Sequence, residues 1–251
     1  MAQIIVVGGS GRVGSRVVEK LGAHGHHAVA VSRRSGVDAY AGEGIVEALR
    51  GADVVVDVTQ APSYVPDEAR EFFTTLTRNL VEAERSAGVR HHVGLTIVGT
   101  DRPQDIGYFH AKAAQEQVVR ASGVPYSLVH ATQFLEFTPA IIGTSTQDGT
   151  VRVPSASIQP IAAEDVATAV ARTAAGEPVG DVEIAGPEVL SFGDLVRRTL
   201  AAQGVAHEVV TAADAPYFGA RIEEQTLLAR DGAQTFPTTL DDWLATLTVG
   251  D

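Results

Sequence analysis

The sequence predicts a doubly wound α/β fold, a parallel sheet covered by helices on both faces. Three observations carry that prediction. Ile4, Ile5, Val6 and Val7 form an unbroken β-branched run, the pattern of a strand buried on both sides. The run passes straight into glycines at Gly8, Gly11 and Gly14 and an apolar stripe of Val13, Val17, Val18 and Leu21, which reads as a strand, a tight turn and a helix. Further apolar runs then alternate with amphipathic stretches, the rhythm of parallel strands joined by right-handed helical crossovers.

The later elements follow in order. Ala28 to Ser32 (AVAVS) is a second short strand, and Gly51 to Thr59 is an almost continuous apolar strand. The stretch Val37 to Gly44 between them is too short and polar to give more than a shortened strand. Asp67 to Ala87 carries Phe72, Leu76, Leu80 and Val81 at helical spacing, with Gly88 as its stop. His91 to Gly99 is the next strand, Gly107 to Ser122 a helix, and Tyr126 to Ala131 a further strand. Beyond residue 132 the rhythm changes. Short strands at Val151 to Pro154, Val182 to Ala185 and Glu208 to Thr211 mix with helices at Ala163 to Ala175 and Ser191 to Gln203, the latter with Ser191 as N-cap and Asp194 in its first turn. The expected organisation is a core over residues 1–132 and a smaller mixed α/β segment over 133–251. The smaller segment is expected to close a substrate cleft as one rigid body with the core.

Composition narrows the function. At 251 residues and 45% apolar content, the chain can bury a large core. No apolar run approaches the roughly 18 residues of a membrane span, and the first strand begins at once, so a cytoplasmic protein without a leader is expected. With no cysteine there is no disulfide framework, no thiol catalysis and no thiolate metal site. A net charge of −12 argues against nucleic acid as the main partner. Only Lys20 and Lys112 are lysines among the 19 basic residues, so each lysine stands out. The histidine pairs His26/His27 and His91/His92 point apart on any regular backbone, and no metal site is expected.

The glycine turn is the strongest chemical signal. In a strand–turn–helix of Rossmann type, Gly8 permits the tight turn, Gly11 admits a pyrophosphate to the backbone, and Gly14 lets the helix pack on the strand. Ser10, Arg12 and Val13 complete the turn, and the open N–H groups of the helix face the phosphates. An NAD-preferring turn is followed about 20 residues on by an acid that binds the ribose. Arg33, Arg34 and Ser35 stand at the end of the second strand instead. Guanidinium groups there favour a 2′-phosphate, and so NADP(H) over NAD(H). Thr59, at the end of the third apolar strand, adds a hydroxyl to the expected cofactor set.

Tyr108 and Lys112 form Tyr108-Phe-His-Ala-Lys112, an i, i+4 pair on one helix face. An ammonium beside the phenol would lower its pKa and fit it for proton exchange with a carbonyl oxygen. The pair follows the strand that carries Thr96, whose hydroxyl is placed to hold that oxygen or, equally, to face the core.

These residues resemble the short-chain dehydrogenase/reductase superfamily, and more narrowly its atypical NmrA-like NAD(P)H-binding branch. The resemblance rests on GGSGRVG, on Leu95-Thr96-Ile97-Val98-Gly99, and on the Tyr108/Lys112 pair. It extends through Ser122 to Tyr126, Gln133-Phe134, Ala163 to Ala167 and Ala185 to Ser191, nearly the whole chain. It implies pyrophosphate binding at Gly8, Gly11 and Gly14, with Tyr108 as acid/base, Lys112 as its activator and a ligand of the nicotinamide ribose, and Thr96 in the serine/threonine position. His130 departs from the branch, where an arginine is expected. It is read either as a substrate contact or as a hydrogen-bonded core residue. Gln133, Phe134 and Phe137 complete the expected substrate set, with Tyr217 and Phe218 as further aromatic candidates.

The function expected is an NADPH-dependent oxidoreductase acting on a carbonyl or quinone of a small to medium apolar molecule. Two alternatives stay open: an NADP(H)-sensing regulatory protein without turnover, and an isomerase or epimerase that retains its cofactor. Homodimers are common in the superfamily, which makes a homodimer the assembly to test.

Overall fold

The computed structural model describes residues 1–102 and 105–247. Its chain divides into two compact units. The first comprises Met1–Thr100, Gly107–His130 and Val166–Val182; the second comprises Asp101–Ile106, Ala131–Asp165 and Glu183–Asp251. The chain crosses between the units more than once: most of one helix and the start of one strand, within Val166–Val182, belong to the first unit.

The first unit begins with β1 (Gln3–Val7), α1 (Arg12–Ala23) and β2 (His27–Val31). A 3-10 turn at Arg33–Ser35, the four-residue helix α2 (Ile45–Ala48) and β3 (Val54–Asp57) follow. Then come α3 (Pro66–Ala87), β4 (His91–Ile97), α4 (Gly107–Ala121) and β5 (Tyr126–Ala131). β1 pairs in parallel with β2 on one side and β3 on the other, and β3 pairs in parallel with β4. The chain therefore reverses its direction of progress at β1/β3, the switch point where open α/β sheets bind ligands. The expected short strand at Val37 to Gly44 survives as a single bridge between Asp38 and Glu43.

Local chemistry explains the helix ends. α3 starts with Pro66 at its first position and Asp67 and Glu68 in its first turn, and ends on Gly88 at φ +72°. Ile5, Val7, Val31 and Val55 of the strands meet Leu49, Leu76 and Leu80 to form the core on one face of the sheet. Beneath α3 lies one buried ion pair, Glu84 to His92 Nδ1 at 2.8 Å, with both side chains fully shielded from water.

The remaining elements are α5 (Thr138–Ser145), β6 (Thr146–Gln147), β7 (Thr150–Pro154), β8 (Ser157–Ile158) and α6 (Ala163–Ala175). After these come β9 (Gly180–Ala185), β10 (Leu190–Ser191), α7 (Phe192–Ala202), β11 (Glu208–Ala212), β12 (Gln234–Thr235) and α8 (Leu240–Leu247). The large sheet runs β12-β9-β5-β4-β3-β1-β2, with smaller sheets β11-β7-β6 and β10-β8. Ser191 caps α7 by accepting from the Asp194 N–H, as its sequence position predicts. Helices α2, α5 and α8 were not expected; α2 is a single turn of four residues. α5 is short and lacks an amphipathic stripe. α8 is announced only by a local cap, in which the Thr239 hydroxyl and the Asp242 carboxylate bond each other's backbone N–H.

The Glu84–His92 pair makes stability depend on pH. Burial alone would lower the His92 pKa, but the Glu84 carboxylate outweighs it and raises the pKa above the usual 6.5. A folded pKa above the unfolded one means that the stabilisation is complete below pH 6.5 and fades as pH rises through the folded value. Glu84→Gln is expected to lose about 3 kcal/mol at pH 6 and distinctly less at pH 9 in urea unfolding. An equal loss at both values would contradict the protonated pair.

Candidate active site

The turn from Gly8 to Gly11 carries β1 into α1 at the switch point. Gly8 has φ +80°, and a Cβ there would stand 3.0 Å from the Val58 carbonyl oxygen at the end of β3. A Cβ on Gly14 would lie 2.3 Å from the Gly8 carbonyl oxygen, so only glycine lets the helix sit this close to the turn. Gly9 is equally constrained: its Cβ would fall 2.7 Å from the Ala30 Cα. Gly11 meets the mildest contact of the four, 3.2 Å to the Gly8 carbonyl oxygen, and stands exposed as the N-cap of α1.

No side chain caps α1 and its first turn holds no acid. The opening N–H groups at Arg12, Val13 and Gly14 precede any intrahelical partner and sit at the positive end of the helix. Ser10 and Arg12 are exposed beside them, with Val13 buried beneath. Arg33 and Arg34 are exposed on the 3-10 turn after β2, with no carboxylate among Ser32 to Ser35. Ser35 is used locally: its hydroxyl accepts from the Ser32 N–H and donates to the Ser32 carbonyl. An open helix terminus behind a glycine turn, with two guanidinium groups at the next strand end, fits a phosphorylated dinucleotide.

A buried polar chain lies at the ends of β3 and β4. Asp57 accepts from the Thr59 N–H at 2.9 Å and the Thr59 hydroxyl at 2.6 Å, and from Gln115 Nε2 at 2.9 Å. Gln115 Oε1 in turn accepts from Lys112 Nζ, which also donates to the Leu95 carbonyl at 2.9 Å. The ammonium sits 4.4 Å from the centre of the Phe73 ring. Lys112 is only 4% exposed, and burial pulls its pKa down to about 8, with Asp57 and Glu116 opposing the shift.

This arrangement corrects the expected Lys112–Tyr108 partnership. The ammonium is engaged by Leu95 and Gln115, while the Tyr108 ring packs against Phe73 and Tyr64 at 5.7 and 5.3 Å. Burial, reinforced by Tyr64, pushes the Tyr108 pKa above its usual 10 rather than below it. Thr96 also has a different partner from the one expected. Its hydroxyl donates to Glu116 Oε1 at 2.5 Å, so a substrate oxygen would have to displace that bond.

Glu116 gathers a second network. Thr100 donates to it at 2.9 Å and Arg120 at 3.2 Å, while Arg120 also reaches Asp181 at 2.8 Å. His130 belongs here as a hydrogen-bonded core residue, with Nε2 3.1 Å from Asp181 and Nδ1 3.4 Å from the Ile97 carbonyl. In the second unit, Gln133 accepts from the Tyr217 hydroxyl at 2.7 Å. There Phe134 bridges to Ile161, and the Phe137 ring lies 5.2 Å from that of Phe218. Gln115 and Glu116 were legible in principle, since they follow Lys112 by three and four residues on one helix face. Asp57 ends a run of valines, another readable sign. Asp181 had no local signal, because its partner His130 lies 51 residues away. Among the described residues there is no metal-binding cluster of acidic residues and histidines, and no helix long and apolar enough to cross a membrane.

A model of an NAD(P)H-binding family matches residues 8–177, and the chain belongs to that family. This agrees with the resemblance read from the glycine turn. The chain is 29% identical over 206 residues to a (4-alkanoyl-5-oxo-2,5-dihydrofuran-3-yl)methyl phosphate reductase of Streptomyces griseus, covering 75% of this chain and 69% of the relative. It is 28% identical over 221 residues to an NAD(P)H azoreductase of Xenophilus azovorans, covering 80% and 74%. Its fold matches the NADPH complex of a quinone oxidoreductase from Escherichia coli with a TM-score of 0.71 at 19% identity, covering 98% and 99% of the two chains.

Lys112 offers a direct check, because the chain has one other lysine. In protein carrying 13C at the lysine ε carbons, one of two NMR signals is expected to titrate near pH 8. Asp57→Asn, which removes a charge that holds the ammonium protonated, is expected to move that midpoint lower still. A Lys112 midpoint above 10 would contradict the buried placement.

Proposed function

We propose that the protein is an NADPH-dependent reductase of a carbonyl or quinone group on a small to medium apolar substrate. The observation that carries the reading is the uncapped N-terminus of α1 behind the Gly8–Gly14 turn, with Arg33 and Arg34 at the end of β2. Family membership supports the dinucleotide, and the reductases and azoreductase among the relatives support oxidoreductase chemistry. The N–H groups of the first turn of α1 would hold the pyrophosphate, with Ser10 and Arg12 beside it. The guanidinium groups of Arg33 and Arg34 would hold the 2′-phosphate, a contact NAD(H) lacks.

A nicotinamide dinucleotide held by these residues would supply the hydride that reduces the substrate. The substrate oxygen then needs one proton, and Tyr108 is proposed to donate it from its phenol. A phenol pushed upward by burial stays protonated at neutral pH, the form an acid requires. Lys112 acts differently from an activator of Tyr108: its bonds to Leu95 and Gln115 fix the end of β4 against α4. Through Gln115 it also holds Asp57, whose bonds to Thr59 shape the rim beside Gly8. The Thr96–Glu116 bond ties the same strand end to α4 as well. A small-molecule substrate is the partner this chemistry requires.

The test is NADPH oxidation, followed at its nicotinamide absorbance, across ketones, aldehydes and quinones. Tyr108→Phe is expected to lower kcat at least about 100-fold with little change in NADPH affinity. Arg33→Ala with Arg34→Ala is expected to raise the KM for NADPH about 10- to 100-fold while leaving that for NADH unchanged. Turnover unaffected by Tyr108→Phe would remove Tyr108 from the chemistry. Equal use of NADPH and NADH by the wild type would remove the arginines from cofactor choice.

A further inference from the structure

The loop from Thr59 to Val65 leaves β3 at the switch point and leads into α3 within the first unit. It is fixed along its length. Asp57 holds Thr59 at the start. Ala61 is buried in a small apolar cluster with Ala69, Phe73 and Ala111, against which Tyr108 packs. The Ser63 hydroxyl accepts from the Val65 N–H at 3.1 Å. At the far end Pro66 lies so close to the start of α4 that a Cβ on Gly107 would stand 2.3 Å from the Pro66 Cγ. Tyr64 is therefore carried on a pinned loop directly beside Tyr108, and both belong to the first unit.

Core packing does not explain this side chain. Tyr64 is 53% exposed, more than any other aromatic residue among those described. Its ring lies 5.3 Å from that of Tyr108, tilted by 40°. Gln60 Nε2 donates to its phenol oxygen at 2.5 Å, and an accepted bond polarises a hydroxyl into a stronger donor. The two phenols are close enough that Tyr64, after burial, is a cause of the raised Tyr108 pKa. Thr96, the hydroxyl expected to hold a substrate oxygen, is instead buried and bonded to Glu116. A carbonyl oxygen that gains negative charge during reduction is best held by two donors. Tyr108 is one, and with Thr96 engaged the position of the second falls to Tyr64.

We propose that Tyr64 is a second catalytic residue, whose phenol donates a hydrogen bond to the substrate carbonyl oxygen that Tyr108 protonates. When hydride adds to the carbon, the π pair of the carbonyl moves onto the oxygen. That oxygen takes the proton of Tyr108, which is left as a phenolate and regains a proton from water. Tyr64 keeps its own proton throughout and offsets the charge that builds on the oxygen. The inference rests on the reductase reading for its chemistry, but an oxygen held by two phenols can be measured with neither cofactor nor turnover.

The probe is 4-nitrophenolate, whose charged oxygen stands in for the reduced carbonyl oxygen, with nitrobenzene as the same ring lacking that oxygen. Binding to the whole protein is measured by calorimetry. The wild type is expected to prefer the phenolate at least tenfold. Tyr64→Phe removes only an exposed hydroxyl, so it is expected to keep the melting temperature and to lose that preference. Gln60→Ala removes the polarising bond and is expected to lose part of it. In NADPH oxidation Tyr64→Phe is expected to lower kcat about tenfold with the KM for NADPH unchanged. Equal phenolate affinity in the wild type and Tyr64→Phe would overturn the proposal, as would a wild type that does not distinguish phenolate from nitrobenzene. Phenolate binding that depends on Tyr64, in a protein that reduces no carbonyl or quinone, would sink the reductase reading and leave the oxygen site standing. Reductase activity and phenolate binding that both survive Tyr64→Phe would sink the oxygen site alone.

Discussion

The first unit depends on one requirement, that a buried ammonium be fully engaged. Lys112 sits in the core between β4 and α4, where an unpartnered charge would be intolerable. Its bonds to Leu95 and Gln115, the hand-over from Gln115 to Asp57, and the Phe73 ring together satisfy it. That chain locks the ends of β3 and β4 to one face of α4. It also sets Thr59 beside Gly8, so the floor of the nucleotide turn and the placement of α4 share one network. Tyr108, one turn earlier on α4, is left among aromatic rings, where burial raises its pKa further above 10.

The glycine turn divides its labour. Gly8, Gly9 and Gly14 are demanded by the protein itself, because a side chain at any of them would press on backbone of the residues after β3, of β1 and β2, or of the turn itself. Gly11 faces the least internal pressure and stands exposed at the helix terminus. In the proposed reading its lack of a side chain would admit a pyrophosphate from outside, so that one motif would meet a packing constraint and a ligand constraint at adjacent positions.

Much of this was readable from local pattern. The β-branched run at Ile4 to Val7, the glycine spacing and the Gly88 stop each act over a few residues, and the elements they announce are present. The helices missed were a single turn (α2), one without an amphipathic stripe (α5) and one with only a cap as announcement (α8). Partnerships were harder to read than elements. The i, i+4 spacing of Tyr108 and Lys112 was correct as geometry and misleading as chemistry, because Leu95 and Gln115 compete for the ammonium. The pairs His130–Asp181 and Tyr217–Gln133 join residues 51 and 84 positions apart, and no periodicity encodes them. The tight turn at Phe218 was not announced, since Tyr-Phe-Gly-Ala carries none of the usual signs of one beyond its glycine.

The central claim is that the turn and the two arginines together form an NADP(H) site. A crystal structure of the protein with NADPH tests it most directly. The account predicts the pyrophosphate against the N–H groups of residues 12–14 and the 2′-phosphate between the guanidinium groups of Arg33 and Arg34. A dinucleotide bound with its 2′-phosphate away from both arginines, or a phosphate elsewhere than the start of α1, would contradict it.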